Sequence, residues 1–179
     1  MATHLPPVHS VQVYDHELDL INRLCAIVST GLRLGDAVLI VATEEHRNQL
    51  VNELEKAGID VRAAVRDGRY VTLDAADTLS TFMRNGSPDP ELFASGVGVL
   101  MADVRARANS SNRRLTVFGE MVAVLWEAGQ KEAALQLEDI WNAALRDSTF
   151  HLHCAYPRAA LVEENDFRSV CDAHSHILQ

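Results

Sequence analysis

A glycine-rich phosphate loop is missing at the point where an α/β nucleotide-binding chain would carry one. The strand-like run Val8–Tyr14 passes straight into Asp15-His-Glu-Leu-Asp-Leu-Ile21, which opens a helix. Cradling a triphosphate at such a turn takes glycine amides and a lysine, the G-x-x-x-x-G-K-[ST] arrangement. Asp15 and Glu17 stand there instead, so phosphates would meet carboxylates, and ordinary ATP hydrolysis is not expected. Basic patches are missing too. With 16 Lys and Arg against 25 Asp and Glu, the net charge of −9 speaks against direct nucleic-acid binding. The densest basic group, Arg105, Arg107, Arg113 and Arg114, reads as solvated surface beside a helix end. No apolar stretch is long enough to span a bilayer, and nothing resembles a signal peptide, so a cytoplasmic protein without membrane contact is expected. Cysteine is scarce: 3 residues, Cys25, Cys154 and Cys171, form an odd, widely spaced set unlike a secreted disulfide framework. No G-x-S-x-G elbow occurs and no cysteine lies in a basic, activating context, which leaves no recognisable nucleophile.

What is present is a regular alternation of strand and helix signals. Leu18, Ile21, Leu24, Cys25, Val28 and Leu32 recur at helical spacing, with Asp15 as a cap and Gly35 as the stop. Ala37–Ala42 is a continuous apolar run, suited to a parallel strand buried on both faces. Thr43 opens a helix to about Ala57, and a short helical piece spans Asp60–Asp67. Strands are expected at Tyr70–Leu73, Leu115–Phe118 and Phe150–Tyr156. Helices are expected at Asp77–Met83, from Pro90 to about Ala108, at Met121–Trp126 and Lys131–Arg146, and at Asp166–Ala173. Asn85–Pro90 is a break and 109–112 a polar loop. The pattern specifies an α/β fold of three layers, a mainly parallel sheet with helices on both faces. The 179 residues, 47% apolar, suffice for one substantial core, and no linker or repeat divides them, so a single domain over 1–179 is expected. Gly35–Glu45 has the cadence of a second strand in RecA- and KaiC-type ATPases, which makes the scaffold RecA/KaiC-like without a phosphate loop.

Open α/β sheets bind ligands beyond the carboxyl ends of their strands. That rule selects Tyr14-Asp15, Thr43-Glu44-Glu45-His46, Asp74, Gly119-Glu120 and Tyr156-Pro157. Asp15 and Asp74 also fit as plain helix caps. Glu120 ends an apolar strand as a Walker B carboxylate does, where it can hold a metal, a water or a ligand hydrogen bond. Gly119 before it suggests close backbone approach or a strained turn. Trp126 and Trp141 read most simply as core residues; converging on Glu120, they would wall an apolar pocket with one polar anchor. His151 and His153 share one face of their strand and Cys154 the other. Cys171, His174 and His176, together with Glu120, are weak candidates for a tetrahedral zinc shell, but their spacing matches no zinc signature. Imidazoles donating to backbone carbonyls or packing at the sheet edge are the plainer reading, and no cofactor is specified.

The sequence resembles the MEDS family, the methanogen/methylotroph and dichloromethane-repressor sensory domains. The resemblance rests on His9-Ser-Val-Gln-Val-Tyr14 with Asp15, Gly35-Asp-Ala-Val-Leu-Ile-Val-Ala-Thr, His46-Arg47 and Gly68-Arg69. It continues through Phe118-Gly-Glu-Met121, Leu125-Trp126, Leu137-Glu138, Trp141-Asn142, Cys154-Ala-Tyr-Pro157 and Cys171-Asp-Ala-His-Ser-His176. It implies a three-layer fold related to KaiC and RecA ATPases, and small-ligand sensing, with hydrocarbon derivatives as the suggested class. It also implies linkage to histidine kinases or DNA-binding regulators. By position His9, Tyr14, Asp15, Glu120, Tyr156 and His174 are the matching polar residues. The chain departs at Val13, where an aromatic residue usually precedes Tyr14. No kinase or helix-turn-helix segment is recognisable, so output is expected to pass to a separate histidine kinase or transcription regulator.

The leading expectation is therefore a non-catalytic sensory domain. Its small-molecule site would draw on His9, Tyr14, Asp15, Glu120, Trp126, Trp141, Tyr156 and His174. The alternative is a residual nucleotide- or metal-binding enzyme using Glu44, Glu45 and Glu120. A third class is an assembly module, since such folds commonly form homo-oligomeric rings.

Overall fold

The structure, a computed structural model, describes residues 8–111, 113–147 and 150–178. Asn112, which ends the expected polar loop, and the stretch ahead of Val8 lie outside the described residues. Strand β1 (Val8–Tyr14) is followed by helix α1 (Glu17–Arg33), strand β2 (Ala37–Ala42) and helices α2 (Glu44–Lys56) and α3 (Val61–Arg66). Next come β3 (Tyr70–Asp74), α4 (Ala75–Phe82) and a two-rung hairpin of β4 (Met83–Arg84) and β5 (Ser87–Pro88). Helices α5 (Pro90–Phe93) and α6 (Val99–Ala106) precede β6 (Leu115–Gly119), α7 (Met121–Glu127) and α8 (Lys131–Asp147). Strand β7 (His151–Pro157), helix α9 (Glu164–Asp172) and strand β8 (His176–Leu178) complete the order. The main sheet runs β3-β2-β6-β7-β1-β8, and every neighbouring pair is parallel.

Period-two alternation in β2 explains the three layers. Ala37, Leu39 and Val41 face one side with α4, α6, α7 and α8, whereas Val38, Ile40 and Ala42 face the other with α1, α2 and α3. A strand buried on both faces can have no polar side, and all six of its residues are buried. Each helix contributes one apolar stripe, Leu20, Leu24, Val28 and Leu32 in α1 and Ala134, Leu137, Trp141 and Leu145 in α8.

Local chemistry accounts for most boundaries, and some differ from expectation. Asp74 caps α4, accepting from the Ala76 and Asp77 amides at 3.0 and 3.1 Å, so that helix starts two residues early, at Ala75. Asp15 does not cap α1. That helix begins at Glu17 without a side-chain cap, and the Asp15 carboxylate pairs with Arg158 Nε at 2.9 Å instead. The long helix expected from Pro90 is interrupted by a π-turn over Ala94–Gly98, where Gly96 and Gly98 weaken the regular ladder. Strand β8 was not expected at all. It is a three-residue edge pairing Ser10 with His176 and Gln12 with Leu178.

Candidate functional site

Two polar regions lie along β1 and β7. The first is the rim. Glu120, directly after β6, is buried with both carboxylate oxygens bound: Oε2 accepts from the Thr43 amide at 2.8 Å and Oε1 lies 2.7 Å from His46 Nδ1. That hydrogen bond raises the His46 pKa against the opposing effect of its burial. Glu120 thus ties the end of β6 to the first turn of α2, which has no side-chain cap of its own. Of the two readings offered by Gly119, close backbone approach or a strained turn, neither holds: it does not adopt a left-handed conformation. A β-carbon there would sit 3.6 Å from the Trp141 ring, in ordinary contact. Arg47 bridges the Ala42 carbonyl and Asp74, fixing the neighbouring strand ends. Tyr14 is half-buried, and burial, then the charges of Glu120 and Glu127, push its hydroxyl pKa upward.

Beside Tyr14 an open cleft of about 890 Å³ runs between α1 and the α9–β8 segment. Its lining includes Gln12, Tyr14, Asp15, Asn22, Arg23 and Arg158, with Phe167, Ile177 and Leu178 as apolar wall. The Asp15–Arg158 pair at its mouth is half-exposed on both sides.

The second region lies inside, between the sheet and α8. Glu138 has no solvent exposure, yet it occupies the apolar stripe of α8 between Ala134 and Trp141. Tyr156 Oη donates to its Oε1 at 2.7 Å, and Cys154 Sγ lies 3.8 Å from Oε2. His9 Nε2 stands 3.2 Å from Oε2 and His174 Nε2 3.3 Å from Oε1. Burial alone would raise the Glu138 pKa; the imidazoles of His174 and His9 outweigh it and hold the value near about 2. Burial and the Glu138 charge together push the Cys154 thiol and the Tyr156 hydroxyl well up. His9 Nδ1 lies 2.9 Å from Asn142 Oδ1, and His174 Nδ1 is 2.6 Å from the Val170 carbonyl. On the opposite sheet face His153 pairs with Ser10 Oγ at 3.0 Å, its pKa lowered to about 4, chiefly by burial.

The structure therefore divides the sequence candidates into two groups. Tyr14 and Asp15 line the rim cleft, with Glu120 beside them but sequestered. His9, Tyr156 and His174 meet in the interior around Glu138. Trp126 and Trp141 are core residues: Trp126 donates to the Ala160 carbonyl and stacks edge-on to Tyr156, while Trp141 packs edge-on against Phe93. Of the Cys171, His174 and His176 set only His174 joins the interior cluster; His176 is exposed on β8 and Cys171 is part-exposed on α9. Glu44 and Glu45 are exposed in the first turn of α2. Glu138 was missed as a site residue. A carboxylate four residues from Ala134 and three from Trp141 within an apolar stripe is the signal that would have found it.

No curated protein matches the chain. An uncharacterized protein from Pyrococcus horikoshii, crystallised in complex with an unknown peptide, shares the fold with a TM-score of 0.68 at 12% identity. That match covers 97% of this chain and 77% of the archaeal one. A family model, MEthanogen/methylotroph, DcmR Sensory domain, matches residues 8–175, nearly the whole chain. The chain belongs to the MEDS family of sensory domains.

Proposed function

We propose that this sensory domain is non-catalytic and takes a small molecule in the cleft beside Tyr14, passing the signal to a separate histidine kinase or transcription regulator. The observation that carries the reading is the cleft itself. It lies beyond the carboxyl end of β1, where α/β sheets collect ligands. Its volume of about 890 Å³ falls within the range of about 300–1,000 Å³ typical of small-molecule sites. Tyr14, Asp15 and Arg158 supply polar anchors, and Phe167, Ile177 and Leu178 supply apolar wall. Glu120 acts one step back, tying the end of β6 to the first turn of α2. Because α9 and β8 build one wall, a ligand that favours one position of that wall biases what a partner meets there.

Native mass spectrometry of freshly purified protein, followed by calorimetry with any copurified compound, tests the reading. Arg158→Ala is expected to weaken binding at least about tenfold, roughly 1.4 kcal/mol, with little change in unfolding midpoint, because the ion pair it breaks is half-exposed. Binding that is indifferent to Arg158→Ala and Tyr14→Phe would move the site elsewhere. Since the Pyrococcus protein was solved with a peptide, short peptides form a second arm of the screen. Mg-ATP binding lost in Glu120→Gln would favour the residual-nucleotide reading instead.

A further inference from the structure

The interior cluster around Glu138 gathers four metal-ligating side chains at one buried point. His9 Nε2, His174 Nε2, Cys154 Sγ and a Glu138 oxygen all lie within 4.8 Å of one another. Zinc bonds of about 2.0–2.1 Å to nitrogen or oxygen and about 2.3 Å to sulfur give tetrahedral edges of about 3.3–3.4 Å between the lighter atoms and about 3.6 Å to sulfur. The observed separations are 3.2 Å from His9 Nε2 to Glu138 Oε2, 3.5 Å from Cys154 Sγ to His9 Nε2, and 3.8 Å from Cys154 Sγ to Glu138 Oε2. These three edges lie within a few tenths of an ångström of that figure, and the three edges to His174 are at most 4.8 Å.

Three further observations point the same way. His174 Nε2 is fully buried and, although 3.3 Å from Glu138 Oε1, makes no hydrogen bond of good geometry with any described residue. A buried polar atom in that state costs about 1–3 kcal/mol unless something binds it. Both imidazoles have their far nitrogens held in the manner of metal ligands: His9 Nδ1 by Asn142 and His174 Nδ1 by the Val170 carbonyl. Tyr156 likewise holds the second oxygen of Glu138. The charges also balance, because two neutral imidazoles, one thiolate and one carboxylate neutralise a divalent ion. The buried set then carries no net charge where one is costly. Thiolate with imidazole disfavours magnesium and calcium, and a four-coordinate mixed set of this kind is zinc chemistry.

We propose that His9, Glu138, Cys154 and His174 bind one zinc ion in a closed, four-coordinate site. This stands independently of the cleft reading. His174 connects α9 to β8, so the ion would clamp the segment carrying Phe167 and Leu178 onto β1.

The test uses the full chain, stripped with a chelator and titrated with zinc alone, then with cobalt(II) as a spectroscopic stand-in. Expected are one zinc per chain by elemental analysis, a higher unfolding midpoint on zinc addition to the wild type, and a thiolate-to-cobalt charge-transfer band absent in Cys154→Ser. Asn142→Ala leaves all four ligands in place and is expected to weaken zinc binding about 10–100-fold. An unfolding midpoint of the wild type that zinc does not move overturns the proposal without recourse to any variant. Zinc bound equally well by Cys154→Ser and His174→Gln overturns it too, as does iron as the metal found in the purified protein.

Discussion

Substituting Glu120 asks whether a carboxylate at a Walker B-like position serves chemistry or holds the strand end. In Glu120→Ala the Thr43 amide loses its acceptor at 2.8 Å and the His46 imidazole its partner at 2.7 Å. Both side chains of the Glu120–His46 pair are less than a tenth exposed, so water replaces these bonds poorly. Each buried group left unmade costs about 1–3 kcal/mol, which sums to about 2–6 kcal/mol for the alanine variant. Glu120→Gln keeps one carbonyl oxygen for Thr43 and can still meet a neutral His46. It gives up only the charge-assisted part and is expected to lose about 1–2 kcal/mol. Urea unfolding followed by circular dichroism reads both, provided the dependence on urea is unchanged. A cycle with His46→Gln should show coupling of about 0.5–3 kcal/mol between the two positions. An alanine variant within about 0.5 kcal/mol of the wild type would refute the reasoning, since that is the spread of ordinary surface substitutions.

Two further outcomes follow from the same geometry. Because the folded His46 pKa is raised above its unfolded value, its contribution is fully present below about pH 6.5 and is lost as pH rises through the folded value. The stability difference between wild type and His46→Gln, measured by urea unfolding from acid to mildly alkaline pH, should therefore shrink with rising pH. A difference that grows would contradict the Glu120 bond as its cause. Gly119→Ala should leave the thermal midpoint almost unchanged. Gly35→Ala must adopt φ +81° with its β-carbon 3.1 Å from the Ser110 amide nitrogen, and should lose at least about 1–2 kcal/mol. Equal midpoints for the two variants would refute that distinction.

How much was legible in the sequence depended on whether a residue's neighbours in the chain decide its fate. Ala37–Ala42 reads correctly because a short run of six apolar residues stopped by Gly35 and Thr43 suits a doubly buried strand. Asp89 before Pro90 marks its helix start for equally local reasons, capping the Glu91 and Leu92 amides. Asp15 looked equally like a cap, but an arginine 143 positions away took its carboxylate, and no local rule foresees that. Strand β8 escaped because three residues with two exposed carry almost no alternation signal. The interior cluster was half-visible: His9, Tyr156 and His174 were singled out, yet they were assigned to one rim with Glu120. Their common partner, Glu138, is brought to them by the packing of α8 against β7. The weak zinc candidates joined Cys171, His174 and His176, close in sequence, to Glu120, whereas the four donors that converge come from β1, α8, β7 and the turn before β8.

The contact between β1 and the turn before β8 has a kinetic consequence. Ser175 Oγ donates to the His9 carbonyl and accepts from the His9 amide, across 166 positions of the chain. The entropy of closing a loop grows with the logarithm of its length, so this contact is costly to close unless β7 has already paired with β1. Strand β8, a three-residue edge with two residues exposed, is expected to open locally at lower cost than the fully buried β2. One wall of the rim cleft is thus expected to be among the more easily opened elements of the fold, so that a modest binding energy there shifts how much of the time it is docked.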